Sequence, residues 1–501
     1  MEKDALDPAS SGMDRAVPVG GATLMPRKST ILVCLCLLLA SSSAVDSRQQ
    51  PESIRLLFTG DIMLSRQVEA ELEQTQESPW REFRALFAGA DWVAGNLEGA
   101  VGSPTNCIPH RNDPCFDIRE NRIKLLRDAG FRALSVENNH AGDLGAAGRR
   151  RTEQTLLEQG ILPLSFEGSP RFLKLKGVTV GVIAVSLVPA ADGVIQSIPS
   201  VELQQKLRLA RQLANLVVVS IHWGNELLDW PSTEQRKQAD WLIAHGADLI
   251  LGHHPHVVQV PECLHGKPVF FSLGNHVFDQ KYAATKSGLI ADCRIIDAKL
   301  ACSGSSTRTP PNGSTPEPVV QASGNVTGDG LLSCPVDLSP SPILSGLEIR
   351  PQPWSRDQPQ FGLILGGWKN GTLEWLSRPQ DALSVEIGQL AGSGSSPLIF
   401  TLERHRSSLD EEDGLRPYVY AVGPRGLIAK WRGSALAWPL IDAVIQKSSG
   451  VVCALHRTDS FVTLDPHSQG TRVAAYRWNG FGFDGIDDPA AVRGCEKLFQ
   501  Q

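Results

Sequence analysis

A cluster of three histidines follows a short apolar run near the middle of this 501-residue chain. Leu249-Ile250-Leu251 has the composition of a buried strand, and Gly252-His253-His254-Pro255-His256 comes directly after it. Packing alone does not account for these imidazoles, because buried ring nitrogens need polar partners and neutral imidazole is the commonest metal ligand in proteins. The cluster therefore predicts a metal site in the loop that leaves this strand.

Four other segments repeat the arrangement of a predicted strand followed by a loop rich in Asp, Asn, Glu or His. They are Leu57-Phe58-Thr59-Gly60-Asp61, Asn96-Leu97-Glu98, Glu137-Asn138-Asn139-His140, and the stretch from Val219 to Glu226. The carboxyl ends of strands in an open α/β sheet face one crevice. We therefore expect the five loops to assemble a single metal site at that edge of a sheet.

Residues 52–297 alternate strand-like and helix-like segments, which favours an α/β sheet with helices on its faces. Ser232 followed by Gln235 predicts a capping box at the start of one helix. The predicted strands are Ile54–Thr59, Trp92–Ala94, Ala133–Val136, Val178–Ser186, Leu216–Ile221, Asp248–Leu251 and Val269–Ser272, and the predicted helices are Ile118–Ala129, Ala146–Gln159 and Thr233–His245.

The second half of the chain lacks this alternation of strand-like and helix-like segments. Residues 298–345 are rich in Ser, Thr, Pro, Gly and Asn, which indicates a low-complexity insertion or flexible linker that folding does not require. Residues 346–394 are interpreted as return strands with a hairpin at Asn370-Gly371. Residues 395–501 are interpreted as an appended β-rich domain.

The N-terminal segment, residues 1–44, has the pattern of a signal peptide. Arg27-Lys28 precedes the apolar run Ile31–Ala40, and Ser42-Ser43-Ala44 offers a small-x-small cleavage site. An uncleaved signal anchor is the alternative. We therefore expect an exported protein in the periplasm, the cell envelope or the extracellular space.

Cysteine usage agrees with export. Removing the segment leaves eight cysteines, an even number that suits disulfides. Cys107 could pair with Cys115, Cys453 with Cys495, and Cys302 with Cys334, although connectivity cannot be deduced from sequence. The net charge of −6 provides no basic surplus, so no nucleic-acid partner is expected.

The loop residues supply oxygen and nitrogen donors without sulfur, a set that suits manganese, iron or zinc better than calcium. We predict two divalent cations, since a carboxylate such as Glu98 can bridge a pair. Taken singly, Asp61 and Asn139 also suit turns, and Glu98 suits a solvated surface. The predicted ligands are Asp61, Glu98, Asn139, His222, His254 and His256. His140 is placed to protonate a leaving oxygen, and Asp143, Glu226 and His253 are interpreted as supporting residues that orient the ligands.

These segments resemble the bacterial capsule-synthesis family typified by CapA and PgsA, named for poly-γ-glutamate capsule biosynthesis. The matching residues run in the same order over 54–290 and include Gly60-Asp61-Ile62-Met63-Leu64, Asn96-Leu97-Glu98, Asn138-Asn139-His140, His222-Trp223-Gly224, Gly252-His253-His254-Pro255-His256 and Ser272-Leu273-Gly274-Asn275. The resemblance implies a calcineurin-like metallophosphoesterase fold, a four-layer α/β/β/α sandwich with a dinuclear site. It gives the metal roles to the six predicted ligands and the acid role to His140.

Two positions depart from the pattern that the resemblance implies. Met63 stands where the wider phosphoesterase superfamily often has a histidine ligand, and His276 stands where the capsule family usually has phenylalanine. Two functions remain open: an exported metal-dependent hydrolase, with a phosphoester substrate, or a non-catalytic envelope component that binds a nascent acidic capsule polymer. In both cases the resemblance points to membrane-bound capsule-synthesis partners.

Overall fold

The computed structural model describes residues 53–108, 114–319, 328–332, 334–354, 362–394, 396–406, 413–433, 436, 439–457 and 470–499. The predicted signal peptide, residues 1–44, lies outside the described residues. No helix within the described ranges is long and apolar enough to cross a bilayer.

The strands of the first half, in chain order, are β1 (Ile54–Ile62), β2 (Trp92–Leu97), β3 (Ala100–Val101), β4 (Asp117–Ile118), β5 (Ala133–Ser135), β6 (Leu162–Leu164), β7 (Arg171–Leu175), β8 (Val178–Ser186), β9 (Leu216–His222), β10 (Leu249–His253), β11 (Val258–Gln259), β12 (Glu262–Leu264), β13 (Lys267–Phe270), β14 (Ser272–Leu273), β15 (Asn275–Val277), β16 (Ser287–Ile296) and β17 (Lys299–Arg308). The remaining strands are β18 (Glu317–Pro318), β19 (Gly328–Leu331), β20 (Val336–Asp337), β21 (Ile343–Leu344), β22 (Leu347–Pro351), β23 (Leu365–Lys369), β24 (Thr372–Leu376), β25 (Ala382–Gly388), β26 (Leu398–Arg406), β27 (Asp413–Gly423), β28 (Gly426–Arg432), β29 (Leu440–Gln446), β30 (Val451–Arg457), β31 (Thr471–Trp478) and β32 (Phe483–Ile486).

The α-helices are α1 (Arg66–Thr75), α2 (Arg84–Ala88), α3 (Ile123–Ala129), α4 (Gly145–Glu158), α5 (Val201–Leu213), α6 (Thr233–Ala244) and α7 (Pro489–Phe499). Short 3-10 helices cover Arg81–Phe83, Pro104–Asn106, Glu120–Arg122 and Ala283–Lys286. The predicted capping box is present at α6, where the Ser232 hydroxyl accepts a hydrogen bond from the backbone of Gln235.

Two sheets form the centre of the region from β1 to β18. The first has the order β18-β17-β16-β1-β2-β5-β6, and β1, β2, β5 and β6 run parallel. The second has the order β12-β13-β10-β9-β8-β7, with β13, β10, β9 and β8 parallel. Parallel strands place their carboxyl ends at one edge, which is where the predicted ligand loops begin.

Three apolar clusters define the layers. One lies between the two sheets and includes Leu56 of β1 and Val218 of β9. A second packs the outer face of the first sheet against α1, α2 and α3. A third packs the second sheet against α5 and α6. The arrangement is the α/β/β/α sandwich that the resemblance implies, with nearly continuous apolar runs such as Leu216–Ile221 buried on both faces.

The linker interpretation of residues 298–345 is wrong for the segment that forms β17. Residues Lys299–Arg308 pair antiparallel with β16 over ten residue pairs and extend the first sheet. Leu300 and Cys302 contribute to the core between the sheets. The strand is not evident from the sequence, because most of its residues are small or polar and its pairing with β16 is not local in the sequence. The domain boundaries drawn from the sequence otherwise stay predictions.

Four disulfides lie in the described residues. Cys107–Cys115 and Cys453–Cys495 are the pairs that the sequence suggested. The suggested Cys302–Cys334 pair is wrong. Cys302 pairs with Cys293, because the register of β16 and β17 places these two residues opposite each other, and Cys334 pairs with Cys263 of β12.

The C-terminal part is rich in strands, as expected. The hairpin at Asn370-Gly371 joins β23 and β24, and a separate antiparallel sheet has the order β25-β26-β27-β29-β30-β31-β32. Val385 and Ile399 of this sheet belong to the cluster around α5, so the appended strands pack against the sandwich.

Candidate metal centre

The end of β1 brings a buried carboxylate to the parallel edge of the first sheet. Asp61 pairs in register with Asn96 of β2 and Asn275 of β15. The Asn96 amide donates to Asp61 Oδ1 at 2.9 Å. Gly60 allows this crossing, because a Cβ at that position would lie 1.9 Å from the carbonyl oxygen of Gly274. Glycine is therefore required immediately before the aspartate.

Strand β10 carries the histidine cluster to the same edge. It continues two residues beyond the predicted end, so that His253 pairs in register with His222 of β9. His253 Nδ1 lies 3.1 Å from Asp61 Oδ1, and the backbone N–H of His254 donates to Asp61 Oδ2 at 3.3 Å. The two sheets therefore meet at Asp61.

The loop after β10 holds two histidines in the left-handed backbone region. His254 has φ 97° and His256 has φ 59°. Each such conformation costs about 1–3 kcal/mol in a residue other than glycine. His256 is fixed in it by a 2.9 Å hydrogen bond between its Nδ1 and the Asn275 side-chain oxygen. Strain of this kind is typical of a site where side-chain placement matters more than local stability.

Two groups of three donors form where the sheet edges meet. Asp61, Glu98 and His222 form one group, and Glu226, His254 and His256 form the other; within each, the donor atoms lie within 4.8 Å of one another. His256 joins them, because its Nε2 lies 3.6 Å from Glu98 Oε1. All of these residues except the exposed Glu226 are buried.

Glu98 is the residue that fits a cation best. Its side chain is fully buried, and neither carboxylate oxygen has a hydrogen-bond partner among the described residues. His222 Nδ1 and His254 Nδ1 are also buried without partners in the described part of the chain. A buried carboxylate without a partner is strongly unfavourable, and divalent cations relieve that penalty. The nitrogen and oxygen donor set therefore fits a divalent metal site.

The buried donors differ in the pKa values that their protein surroundings give them. Burial would raise the pKa of Asp61, but the hydrogen bonds and charges of His253 and His256 outweigh it and hold that pKa well below its usual range. Burial raises the pKa of Glu98 well above its usual range. Burial lowers the pKa of His254 to about 3, whereas Glu98 and Asp61 overcome burial and raise the pKa of His256 to about 9.

His140 is held by two contacts at the edge of the site. Its Nδ1 lies 2.9 Å from Asp143 Oδ2, and its ring stacks on Phe116 at 3.7 Å between centroids. Asp143 Oδ2 also accepts the backbone N–H of Phe116 at 2.7 Å. Because a carboxylate only accepts, Nδ1 carries the proton and Nε2 is left for other chemistry.

The structure brings all of the predicted site residues to one edge. Asn139 is half-buried, and its side-chain oxygen lies 2.8 Å from His222 Nε2. Glu226 lies among the donors themselves. Met63 is buried in the apolar cluster between the first sheet and its helices.

Sequence reasoning missed the asparagines that position the donors. Asn275 contacts His256, Asn96 contacts Asp61, and the Asn138 side-chain amide donates to the Asn96 side-chain oxygen at 3.0 Å. All three lie in the segments singled out above, but only the strand register shows which donor each one meets.

Comparisons with known proteins identify the family to which this chain belongs. The profile of the family described as "Bacterial capsule synthesis protein PGA_cap" matches residues 55–280. The PGA biosynthesis protein CapA of Bacillus subtilis (strain 168) is 31% identical over 254 residues, which cover 67% of that protein and 48% of this chain. The chain belongs to this family.

The same region matches other proteins. The capsule biosynthesis protein CapA of Bacillus anthracis is 30% identical over 275 residues, covering 66% of that protein and 50% of this chain. The alignments thus span about two thirds of these family members and half of this chain. The crystal structure of TT1561 of Thermus thermophilus aligns at 15% identity with a TM-score of 0.28, covering 48% of this chain and 94% of that one. At that TM-score the alignment supports no conclusion.

Proposed function

We propose that this chain is a metal-dependent hydrolase of phosphoesters that acts in the synthesis of a capsule polymer. The observation that carries the proposal is the buried carboxylate of Glu98, which has no partner among the described residues and lies beside Asp61 and His256. Family members named for capsule and PGA biosynthesis support the biological setting. An acidic envelope polymer or a phosphoester is the proposed substrate, and membrane-bound synthesis proteins are the proposed partners.

The residues proposed to hold manganese, iron or zinc are Asp61, Glu98, Asn139, His222, His254 and His256, with Glu226 as a further donor. Divalent cations held there supply Lewis-acid polarisation of a phosphoryl oxygen. The surrounding residues keep the donors in place: Asn96 and His253 orient Asp61, and Asn275 orients His256.

His140 is the proposed general acid. Its Nδ1–H is directed at Asp143 and the ring is fixed on Phe116, so a proton on Nε2 is available to a departing alkoxide oxygen. Asp143 stabilises the protonated ring that gives up this proton. Loss of such an acid typically reduces the rate by about 10²–10⁴-fold and leaves the donor set intact.

Metal content and turnover of an aryl phosphodiester, measured on the same variants, test the proposal. We expect Glu98→Ala and His254→Ala to lose bound manganese, iron or zinc in elemental analysis. We expect His140→Ala to retain metal but hydrolyse slowly. His265→Ala is the matched control, since that histidine pairs with Asp240 on the surface. Wild-type protein that binds no divalent metal under any condition would contradict the hydrolase proposal.

A non-catalytic role is the second candidate, and Met63 favours it. Where the wider superfamily often supplies a histidine, this chain has an apolar side chain buried in the core, so one nitrogen donor is missing. Such a protein would bind an acidic polymer without cleaving it. Wild-type protein that carries metal yet turns over no phosphodiester would favour this candidate.

Export remains part of the proposal. Four disulfides among the described residues support an oxidising compartment, since cytosolic proteins rarely keep them. N-terminal sequencing of the protein from its native host should find a mature end near Val45. Cytosolic material that begins at Met1 or Met25 would refute export.

A further inference from the structure

A cavity of about 590 Å³ lies beside the first sheet, between the start of β16, the end of β17 and the 3-10 helix Ala283–Lys286. Three cationic residues line it: Lys281, Lys286 and Arg308. No carboxylate is among its described lining residues. The whole chain has a net charge of −6, so this grouping does not reflect a general excess of positive charge.

Two of the three cations are unpaired. Lys281 and Arg308 are exposed, and neither has a hydrogen-bond or ion-pair partner within the described part of the chain. Other arginines of this region are paired, as Arg66 is with Asp279 and Arg55 is with Asp292. The side chains at the cavity are thus left with their full donor capacity for a ligand.

Lys286 provides a buried cation at the same cavity. The residue is 8% exposed, and its Nζ donates to the carbonyl oxygen of Gly313 at 2.7 Å. An ammonium group has three donors, so two remain. The nearest acidic influences, Glu71 and Asp279, do not line the cavity, and each is engaged elsewhere: Glu71 accepts from Ser314 N at 3.1 Å and Asp279 from Arg66 Nε at 3.0 Å.

Lys281 and Lys286 lie close enough for their charges to interact. Burial lowers the pKa of Lys286, and the charge of Lys281 lowers it further, against the opposing effect of Glu71 and Asp279. Like charges that are held together in this way repel, and an anion bound between them removes the repulsion.

Hydroxyl groups complete the lining. Thr307 and Thr309 are buried at the end of β17, and Ser287 begins β16. The backbone N–H of Thr309 donates to the carbonyl of Lys286 at 2.7 Å, which fixes the buried lysine against the strand. Donors that are already held in place favour the binding of an anion, because little ordering is needed on binding.

We propose that this cavity is a binding site for an anionic group, a carboxylate or a phosphate, of an extended ligand. It is close in sequence and in the sheets to the candidate metal centre. Val258, which lines the cavity, lies two residues after His256, and Gly274 forms a bridge with Gly288 of the lining. Anion binding at this cavity does not depend on bound metal, so a test of this proposal is independent of the test of the proposed hydrolase.

Calorimetric titration of the full chain, treated with a chelator, tests the proposal. The probes are poly-glutamate as a polycarboxylate, tripolyphosphate as a polyphosphate, and dextran as a neutral polymer, each in low salt and in about 0.3 M salt. We expect at least one polyanion to bind, dextran not to bind, and salt to weaken binding. The double variant Lys281→Gln/Arg308→Gln should weaken it at least about tenfold, the loss expected from removing charge-assisted hydrogen bonds.

The control is Arg84→Gln/Lys124→Gln, which removes the same charge from exposed residues on α2 and α3. It should bind as the wild type does. Selective binding of poly-glutamate identifies a carboxylate site, and selective binding of tripolyphosphate identifies a phosphate site. Absence of polyanion binding in low salt, or equal weakening by both double variants, overturns the proposal. Metal content of the same variants reports separately on the hydrolase site.

Discussion

Two buried glutamates, one in the sandwich and one in the C-terminal sheet, differ in the hydrogen bonds that the protein offers to their carboxylates. Glu98 follows β2 at the sheet edge, and neither of its oxygens has a partner among the described residues. Glu403 lies on β26 and is 3% exposed. Its Oε1 accepts from Thr401 at 2.7 Å and from Tyr420 at 2.8 Å, and its Oε2 lies 3.1 Å from His405 Nε2.

The difference follows from strand direction. In an antiparallel sheet the residues two positions away share a face and the facing strand adds others, so Thr401, His405 and Tyr420 can all reach Glu403. Parallel strands instead end together at one edge, where several polar residues point at a common space. Neighbouring protein groups therefore satisfy the buried acid at Glu403, whereas Glu98 has no such partner among the described residues.

The largest expected effect on metal binding is the loss of metal on changing Glu98. Glu98→Gln should abolish most metal binding, because the amide removes the charge that a cation would neutralise. Wild-type protein should gain about 2.7 kcal/mol of unfolding free energy from a metal at 100 times its dissociation constant, and the variant should gain almost none. Denaturant unfolding with and without manganese measures this.

Glu403→Gln is the matched comparison. It should lower the unfolding free energy by about 1–3 kcal/mol, the cost of disturbing a buried hydrogen-bonded group, equally with and without metal. If Glu403→Gln removed the metal-dependent stabilisation as Glu98→Gln does, the contrast between the two glutamates would fail.

A buried histidine makes the sandwich sensitive to acid. His276 packs against Phe83 at 5.1 Å between ring centroids, and neither ring nitrogen has a partner in the described residues. Burial lowers its pKa from 6.5 to about 3. The folded state therefore binds a proton on His276 more weakly than the unfolded state does. The contribution of neutral His276 to the free energy of unfolding is present above pH 6.5 and is lost as the pH falls toward 3.

The loss should reach about 2 kcal/mol by pH 5, and about 5 kcal/mol in full. His276→Phe should remove this part of the acid sensitivity and keep the aromatic packing. Unfolding free energies of both proteins at pH 7 and pH 5 measure it. A variant with the same loss between those values as the wild type would show that His276 titrates normally.

A buried acid where the C-terminal sheet meets the sandwich should respond in the opposite direction. Glu386 on β25 is 8% exposed and lies 3.8 Å from Arg208 of α5, whose guanidinium also donates to Asp442 at 2.7 Å. Burial, against the opposing charges of Arg208 and Lys447, raises the pKa of Glu386 from 4.5 to about 7.

Because the folded state holds this proton more tightly, the contribution of Glu386 is most favourable below pH 4.5 and is lost as the pH rises through 7. Glu386→Gln should match the wild type below pH 4.5 and exceed its unfolding free energy by about 3 kcal/mol above pH 8. Equal stability of the two proteins at pH 8 would refute the shifted pKa.

The parallel core could be predicted from the sequence because its strands are unbroken apolar runs. Val178–Ser186 has the predicted bounds, and Leu216–Ile221 gains only His222. The residue types of the site were also predictable, because packing rarely accounts for polar groups directly after such runs. The strand Lys299–Arg308 could not be predicted, since it consists largely of small and polar residues held by pairing with β16.

The arrangement within the site was equally hidden. The contact of Asn275 with His256 depends on the parallel register of β15 with β1, and His253 joins the end of β10 because β9 continues to His222. Neither relation is local in sequence. The sequence thus predicts which residue types lie at the site, whereas the tertiary structure determines which of them contact each other.

The smallest expected effect compares two helix caps. Ser232 begins α6 with a full capping box: its hydroxyl accepts from Gln235 N at 3.1 Å, and the Gln235 side-chain oxygen accepts from Ser232 N at 3.0 Å. Ser200 begins α5 with one bond, from Leu203 N at 3.3 Å. Each serine-to-alanine change should cost about 1 kcal/mol of unfolding free energy, and Ser232→Ala the more.

The cap of α6 also reaches toward the histidine loop. The Gln235 amide donates to the Gln259 side-chain oxygen at 3.0 Å, and Gln259 in turn donates to the carbonyl of Trp230 at 3.1 Å. Ser232→Ala removes the hydroxyl that bonds Gln235, and Gln235 in turn contacts Gln259, which lies three residues after His256. We therefore expect Ser232→Ala, but not Ser200→Ala, to weaken metal binding by a few fold in a chelator competition. Equal metal affinity of the two variants would confine the role of the cap to the stability of the helix.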